Sequence, residues 1–166
     1  MPRVYVGIGS NIDRETNIRG AVRELTGRFG PLTLSPVYET RALGFEGGDF
    51  YNLVAGFDTA ESVERIKEWL FQTESRFGRR REAGRLISRT LDLDLLLYGD
   101  TVRNDDKVNL PHPDILRYAF VLRPLADIAP GLKHPETGTT CSEIWKRFDN
   151  DKQEMRVVDF RFADQG

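Results

Sequence analysis

Residues 90–98, TLDLDLLLY, restrict the fold more than any other stretch of this chain. Asp92 and Asp94 alternate with Leu91, Leu93 and Leu95, and a period of two puts the carboxylates on one face of a strand and these leucines on the other. The leucine face has to be covered by other elements of a core, and the acidic face has to meet water, cations or a ligand. The Cα atoms of the two aspartates are then roughly 6.5–7 Å apart.

The surrounding pattern supplies the cover. RVYVGIG reads as a first strand ending near Gly7 to Gly9, and GIGSNI as a tight exit from it. Ile18, Ala21, Val22, Leu25 and Phe29 recur at helical spacing, and Gly30-Pro31 stops that helix. LTLSPVYET follows as a β-rich run, RALGFEGGDF as a glycine-rich loop, and YNLVAGFDT as a further strand. Val63, Ile66, Leu70 and Phe77, with Trp69 alongside, mark a second helix starting near Thr59 or Glu61. The order strand, helix, two strands, helix, strand is the split βαβ arrangement of an α+β ferredoxin-like fold, a βαββαβ core with helices on a mainly antiparallel sheet. Prolines at 111, 113, 124, 130 and 135 predict turns and short helices in a C-terminal extension. Within that extension EMRVVDFRF alternates as an edge strand.

At 166 residues the chain fits one domain, 1–166, with a full core. A net charge of −2, from 24 basic and 26 acidic side chains, gives no overall attraction to nucleic acid or an anionic membrane, so anion binding has to be local. Cys141 is the lone cysteine, which excludes an internal disulfide and a cysteine-based zinc site. The N-terminal apolar run is too short for a signal peptide, and no stretch reaches the ~20 apolar residues of a membrane span, so the expected compartment is the cytoplasm. A monomer is expected at this size.

Two readings of the acidic face stay open on spacing alone: a solvated strand surface, or a cation site, since carboxylate oxygen is the natural ligand of Mg²⁺. Arg79, Arg80, Arg81, Arg85 and Arg89 lie directly before it. Guanidinium groups bind phosphate oxygens in pairs, so this placement resembles the cationic half of a metal-assisted phosphoryl-transfer site. The P-loop, GxGxxG and kinase HRD and DFG patterns are all missing. His134, in LKHPETG, reads as an exposed turn residue. His112, in LPHPD, is held between two prolines and serves either a structural turn or a phosphate contact. Phe50 and Phe120 read by default as core.

Taken together, GIGSN, YETRALG…DFYNLV, RTLDLDLLLYG and LPHPDILRYAFVLRPLADIAP resemble the 6-hydroxymethyl-7,8-dihydropterin pyrophosphokinase family, collinearly from about residue 3 to 133. The resemblance implies a ferredoxin-like fold and transfer of pyrophosphate from ATP to a pterin alcohol in folate biosynthesis. It further implies that Asp92 and Asp94 bind two Mg²⁺ ions and that Arg79 and Arg89 clamp the triphosphate from a mobile loop. Glu74, Arg81, Lys107 and His112 fall at ATP-binding positions. Thr40, Leu43 and Asn52 fall at pterin-binding positions, and Phe50 and Phe120 would sandwich the ring.

The chain departs from the family at several of these places. Leu86 stands where many members carry tryptophan, Ile87 where a small residue is usual, and Glu82 where a basic residue can occur. Tyr118 occupies a position often taken by arginine, with Arg117 one residue earlier. Three other readings remain: a paralogue acting on a different pterin alcohol, another paired-aspartate nucleotidyl transferase, and a non-catalytic RNA-binding module. The last is disfavoured by the lack of an RNP1 pattern and by the near-neutral charge.

Overall fold

Strand β1 (Arg3–Ser10) buries Val4, Val6 and Ile8 on one face and Tyr5 on the other, so from the first element both sides of the sheet need cover. The computed structural model describes residues 1–41, 49–78, 91–149 and 153–162. Helix α1 (Arg14–Phe29) turns Ile18, Ala21, Val22 and Leu25 inward and ends at Gly30, whose φ of 84° suits glycine. The following β run is split: β2 (Thr33–Leu34) and β3 (Val37–Thr40) both pair with β4 (Phe50–Asp58). Pro36 removes a ladder donor at the break. There Ser35 holds Val54 twice, through its own amide to the Val54 carbonyl and through its hydroxyl from the Val54 amide, both at 2.9 Å.

Helix α2 (Val63–Arg76) is capped by Ser62, one or more residues later than Thr59 or Glu61; the Ser62 hydroxyl accepts from the Arg65 amide. Phe77 closes the helix and packs against α1 at Gly20, where an added Cβ would lie 2.7 Å from the Phe77 ring. Strand β5 (Asp92–Tyr98) lies at the edge, and the sheet order is β5-β1-β4-β3-β8. Every pairing in it is antiparallel. Its first four strands have the ferredoxin-like order, with β1 and β3 running the same way on either side of β4.

One face packs against α1 and α2 around Phe57, which is fully buried and stacks on Phe29 at 4.2 Å. The other is covered by the C-terminal part of the chain. The hairpin β6 (Arg103–Asn104) and β7 (Asn109–Leu110) leads through a 3₁₀ turn (Pro113–Leu116) to α3 (Ala119–Ile128), then α4 (Cys141–Arg147) and β8 (Met155–Val158). Val121, Leu122 and Leu125 of α3 and Cys141 of α4 pack on Tyr5, Val54, Leu96 and Leu97. The leucine triplet of β5 reflects a bulge: Val6 pairs with Leu95 and Tyr5 with Leu97, so Leu96 is an extra residue. Leu95 therefore serves the α1/α2 side while Leu96 and Leu97 both serve the α3 side. Burial pushes the Cys141 thiol up to about 11, which keeps it protonated.

His134 corrects the expectation of an exposed residue. It is 3% exposed, and its Nδ1 accepts from the amides of Glu136 and Thr137 at 3.2 and 3.3 Å. The turn was legible, but the imidazole folds into it as the acceptor that the turn amides need, and burial lowers its pKa. The tail after Thr140, for which the sequence suggested no role, supplies a helix layer and the predicted edge strand.

Candidate active site

Strand β1 continues to Ser10, so Gly7 and Gly9 are strand residues rather than a strand exit. Gly9 lies between Asn52 of β4 and Asp92 of β5, and Gly7 lies between Val54 and Asp94. Alternation puts all of these on the α3 side of the sheet, where Val54 packs under α3. Asp92 and Asp94 are half-buried while Leu91, Leu93 and Leu95 are buried, as the alternation predicts. The two glycines replace side chains with a low floor between the aspartates and Asn52. That floor is tight: a Cβ on Gly9 would sit 2.7 Å from the Asn52 Oδ1.

On the next strand, Tyr38 pairs with Asn52 and Thr40 with Phe50, which extends the same face. Asn52 is 7% exposed and donates from Nδ2 to the Thr40 hydroxyl at 2.9 Å, which fixes the amide with its oxygen toward Gly9. From above, α3 contributes Phe120, whose ring stacks on Tyr118 with centroids 5.0 Å apart. Tyr118 therefore lengthens the aromatic wall that Phe120 begins. Arg117 beside it is exposed and reaches Asp114 at 4.0 Å.

At the outer edge of β5, the Glu74 carboxylate of α2 is 4% exposed and accepts from the Leu93 amide at 2.8 Å. An edge strand needs such partners for its outward amides. The His112 amide likewise donates to the Leu96 carbonyl at 2.9 Å. Between these two attachments lies a cleft of about 330 Å³ lined by Lys67, Phe71, Glu74, Asp94, Asn109 and His112, among others.

His112 Nδ1 accepts from the Asp114 amide at 3.1 Å, so this nitrogen carries no proton and Nε2 holds it in the neutral ring. Burial lowers the His112 pKa against the opposing pull of Asp114 and Asp92. One ligand atom each from Asp94, His112 and Asp114 lie within 4.8 Å of one another. Asp114 was not singled out from sequence, although its place two residues after His112 in PHPD was visible. Gly7 and Gly9 were misassigned for a similar reason: glycine signals a turn more often than a strand floor.

Residues 5–130 match the family of 7,8-dihydro-6-hydroxymethylpterin-pyrophosphokinase (HPPK). The chain belongs to this family. Proteins named 2-amino-4-hydroxy-6-hydroxymethyldihydropteridine pyrophosphokinase resemble it over most of their length. That of Synechocystis is 35% identical, covering 87% of this chain and 75% of the relative. That of Bacillus subtilis is 34% identical, covering 86% and 90%. Among solved structures, Plasmodium falciparum HPPK-DHPS A437G with STZ-DHP superposes with a TM-score of 0.71 at 12% identity. The match covers 88% of this chain and 45% of that longer one, and it bears on the fold alone.

Within the HPPK frame, the structure brings together Asp92, Asp94, Thr40, Phe50 and Asn52 on one side of the sheet end, with Phe120 packed on that same side and Glu74 and His112 in the adjoining cleft. Lys107 is exposed in the β6–β7 turn, where its amide donates to Asp105 at 2.9 Å, and it does not line the cleft. Leu43 and Arg79, Arg81 and Arg89 lie outside the described residues, as do Glu82, Leu86 and Ile87.

A partly buried network backs the site. Tyr38, 3% exposed, donates its hydroxyl to Asp127 of α3, and Arg123 Nε donates to the same carboxylate at 3.2 Å. Burial first, and then Asp127, push the Tyr38 phenol up to about 12. An unfolded tyrosine ionises near pH 10, so Tyr38 favours folding fully below about pH 10, and this contribution is lost as the pH rises toward 12. The denaturation midpoint of the wild type should exceed that of Tyr38→Phe at about pH 8, by a margin that narrows by about pH 11. A margin independent of pH would contradict the assignment.

Proposed function

We propose that this chain transfers pyrophosphate from MgATP to the hydroxymethyl group of 6-hydroxymethyl-7,8-dihydropterin, releasing AMP, in folate biosynthesis. The observation that carries the reading is the shared face of Asp92, Asp94, Asn52 and Thr40 over the Gly7 and Gly9 floor, in a member of the HPPK family. A pterin is flat, with a polar rim and weakly apolar faces, so a glycine floor, directed amide and hydroxyl groups and two rings suit it. Asn52 and the backbone groups of Thr40 and Leu43 read the rim, while Phe50 and Phe120 hold the faces. That pose turns the hydroxymethyl group toward Asp92 and Asp94.

The carboxylates of Asp92 and Asp94 are hard oxygen donors that repel each other across one strand face, which fits them to hold Mg²⁺, two ions in this reading. When bound, Mg²⁺ neutralises phosphate charge and favours ionisation of the attacking alcohol. ATP occupies the cleft between α2 and the His112 segment, with Glu74 and His112 as contacts inside it and Arg81 and Lys107 as contacts for the part of the nucleotide that extends beyond it. His112 donates from Nε2 to a phosphate oxygen, a direction fixed by the bond its Nδ1 already accepts. Arg79 and Arg89 clamp the triphosphate as charge moves to the departing AMP. Little covalent participation is needed, because positioning and charge neutralisation supply most of the rate in such transfers.

The RNA-binding alternative needs an open sheet face. Here α1 and α2 pack on one face and α3 and α4 on the other. We assign the protein as a monomer, as expected for a single domain of this size, and place it in the cytoplasm. Among the described residues no helix is long and apolar enough to cross a membrane. The test is AMP release on incubation with ATP, Mg²⁺ and a panel of pterin alcohols. Release that requires both Mg²⁺ and the hydroxymethyl compound supports the proposal; release that favours a trihydroxypropyl pterin supports the paralogue reading instead.

A further inference from the structure

The family match ends at residue 130, yet the segment after it touches both walls of the proposed pterin pocket. Gln153 Oε1 accepts from the Ala119 amide at 2.7 Å, and its Nε2 donates to the Arg117 carbonyl at 3.1 Å. These bonds straddle Tyr118, the residue that begins α3 and gives it no side-chain cap. Helix amides at this end need an outside acceptor, and a carboxamide is suited to the place because it offers an acceptor and a donor together. Tyr118 in turn stacks on Phe120, with rings 25° apart in tilt.

Two residues later the same segment becomes β8, pairing Met155 with Thr40 and Arg156 with Glu39. Arg156 Nε donates to the Glu39 carboxylate at 2.7 Å, and Arg14 meets the same carboxylate at 2.7 Å. Arg14 also donates to the Asp49 carbonyl at 3.0 Å, immediately before Phe50. One short run of chain thus ties the start of α3 to the end of β3, and Arg14 of α1 joins the same carboxylate to the residue before β4.

Resting on the pterin reading above, we infer that residues 153–158 form a strap that sets the spacing of the pterin pocket, with Gln153 as the positioning residue for the Tyr118–Phe120 wall. Gln153 acts on pterin affinity through this wall and leaves the ATP cleft alone, because that cleft is lined from α2, β5 and the β7–His112 segment. A brace serving stability alone would lower the melting temperature and leave both affinities unmoved, or move them together.

The experiment is calorimetric titration of 6-hydroxymethylpterin into full-length protein saturated with Mg²⁺ and α,β-methylene-ATP, paired with titration of the nucleotide itself. Gln153→Ala should weaken pterin binding about tenfold, the size expected for losing two hydrogen bonds that order a wall, with nucleotide affinity held within about twofold. Gln153→Glu keeps the acceptor for Ala119 and loses the donor to Arg117, so its pterin affinity should fall between the two. It also decides the matter where the alanine variant does not fold. Unchanged pterin affinity in either folded variant, or equal losses for pterin and nucleotide, would overturn the inference while wild-type pterin binding keeps the functional reading intact. A wild type that binds no pterin would overturn both.

Discussion

Asp92→Ala and Asp94→Ala should each lower Mg²⁺-dependent turnover by about 10³-fold or more, on the scale of removing a main electrostatic stabiliser of the transition state. Both variants should keep the wild-type denaturation midpoint within a small margin. The reason is positional. Asp94 faces Gly7 and Asp92 faces Gly9, so neither carboxyl is part of either apolar cluster. Removing one of two like charges on a face also relieves repulsion. Raising Mg²⁺ should recover part of the activity of a conservative Asp92→Glu variant and none of the alanine variants. Near-normal turnover in either alanine variant would remove that aspartate from the cation site.

Gly9→Ala is the second large effect, and it isolates geometry from charge. The added methyl would begin 2.7 Å from Asn52 Oδ1, inside any acceptable contact. Asn52 cannot simply swing aside, because its Nδ2 is bonded to Thr40 and the residue is buried. Either the amide rotates out of register with the pterin rim or β1 and β4 move apart. Displacements of this size in a positioned site cost about 10²-fold in kcat/KM. The loss should appear against the pterin, with the KM for MgATP close to wild type. Gly7→Ala serves as the comparison, since its Cβ meets the Leu96 side chain at an ordinary 3.6 Å. Equal losses at Gly7 and Gly9 would mean that the floor as a whole matters and the Asn52 contact does not.

The βαββαβ order was legible because α1, α2 and β5 carry strong periods: Ile18, Ala21, Val22 and Leu25 at helical spacing, Leu91, Leu93 and Leu95 at spacing two. The antiparallel order then follows from short connections and handed crossovers. The bulge at Leu96 was not legible, since a run of three leucines reads equally as a strand buried on both faces. The C-terminal cover was only half legible. Its turns and edge strand could be read from prolines and alternation, but α4 is a seven-residue helix and too short for a convincing period.

At the site, the paired aspartates announced themselves by alternation. Asn52, Thr40 and Phe120 needed the family resemblance, because a buried amide or a lone aromatic has no local signature. Gly9 and Asp114 were missed for a different reason. Their importance arises from partners far along the chain, Asn52 across a strand pair and Asp94 across the β5 edge, and single-sequence patterns carry no such pairing. His134 was misplaced because the signals for a turn say nothing about which way its side chain packs.

The central claim is that two phosphoryl groups move together to a pterin alcohol. The direct test is mass spectrometry of the products formed when full-length protein, in excess, is mixed with MgATP and 6-hydroxymethyl-7,8-dihydropterin. The account predicts AMP and the pterin diphosphate in equal amounts, with no monophosphate. ADP with a pterin monophosphate, or AMP without any phosphorylated pterin, would contradict it.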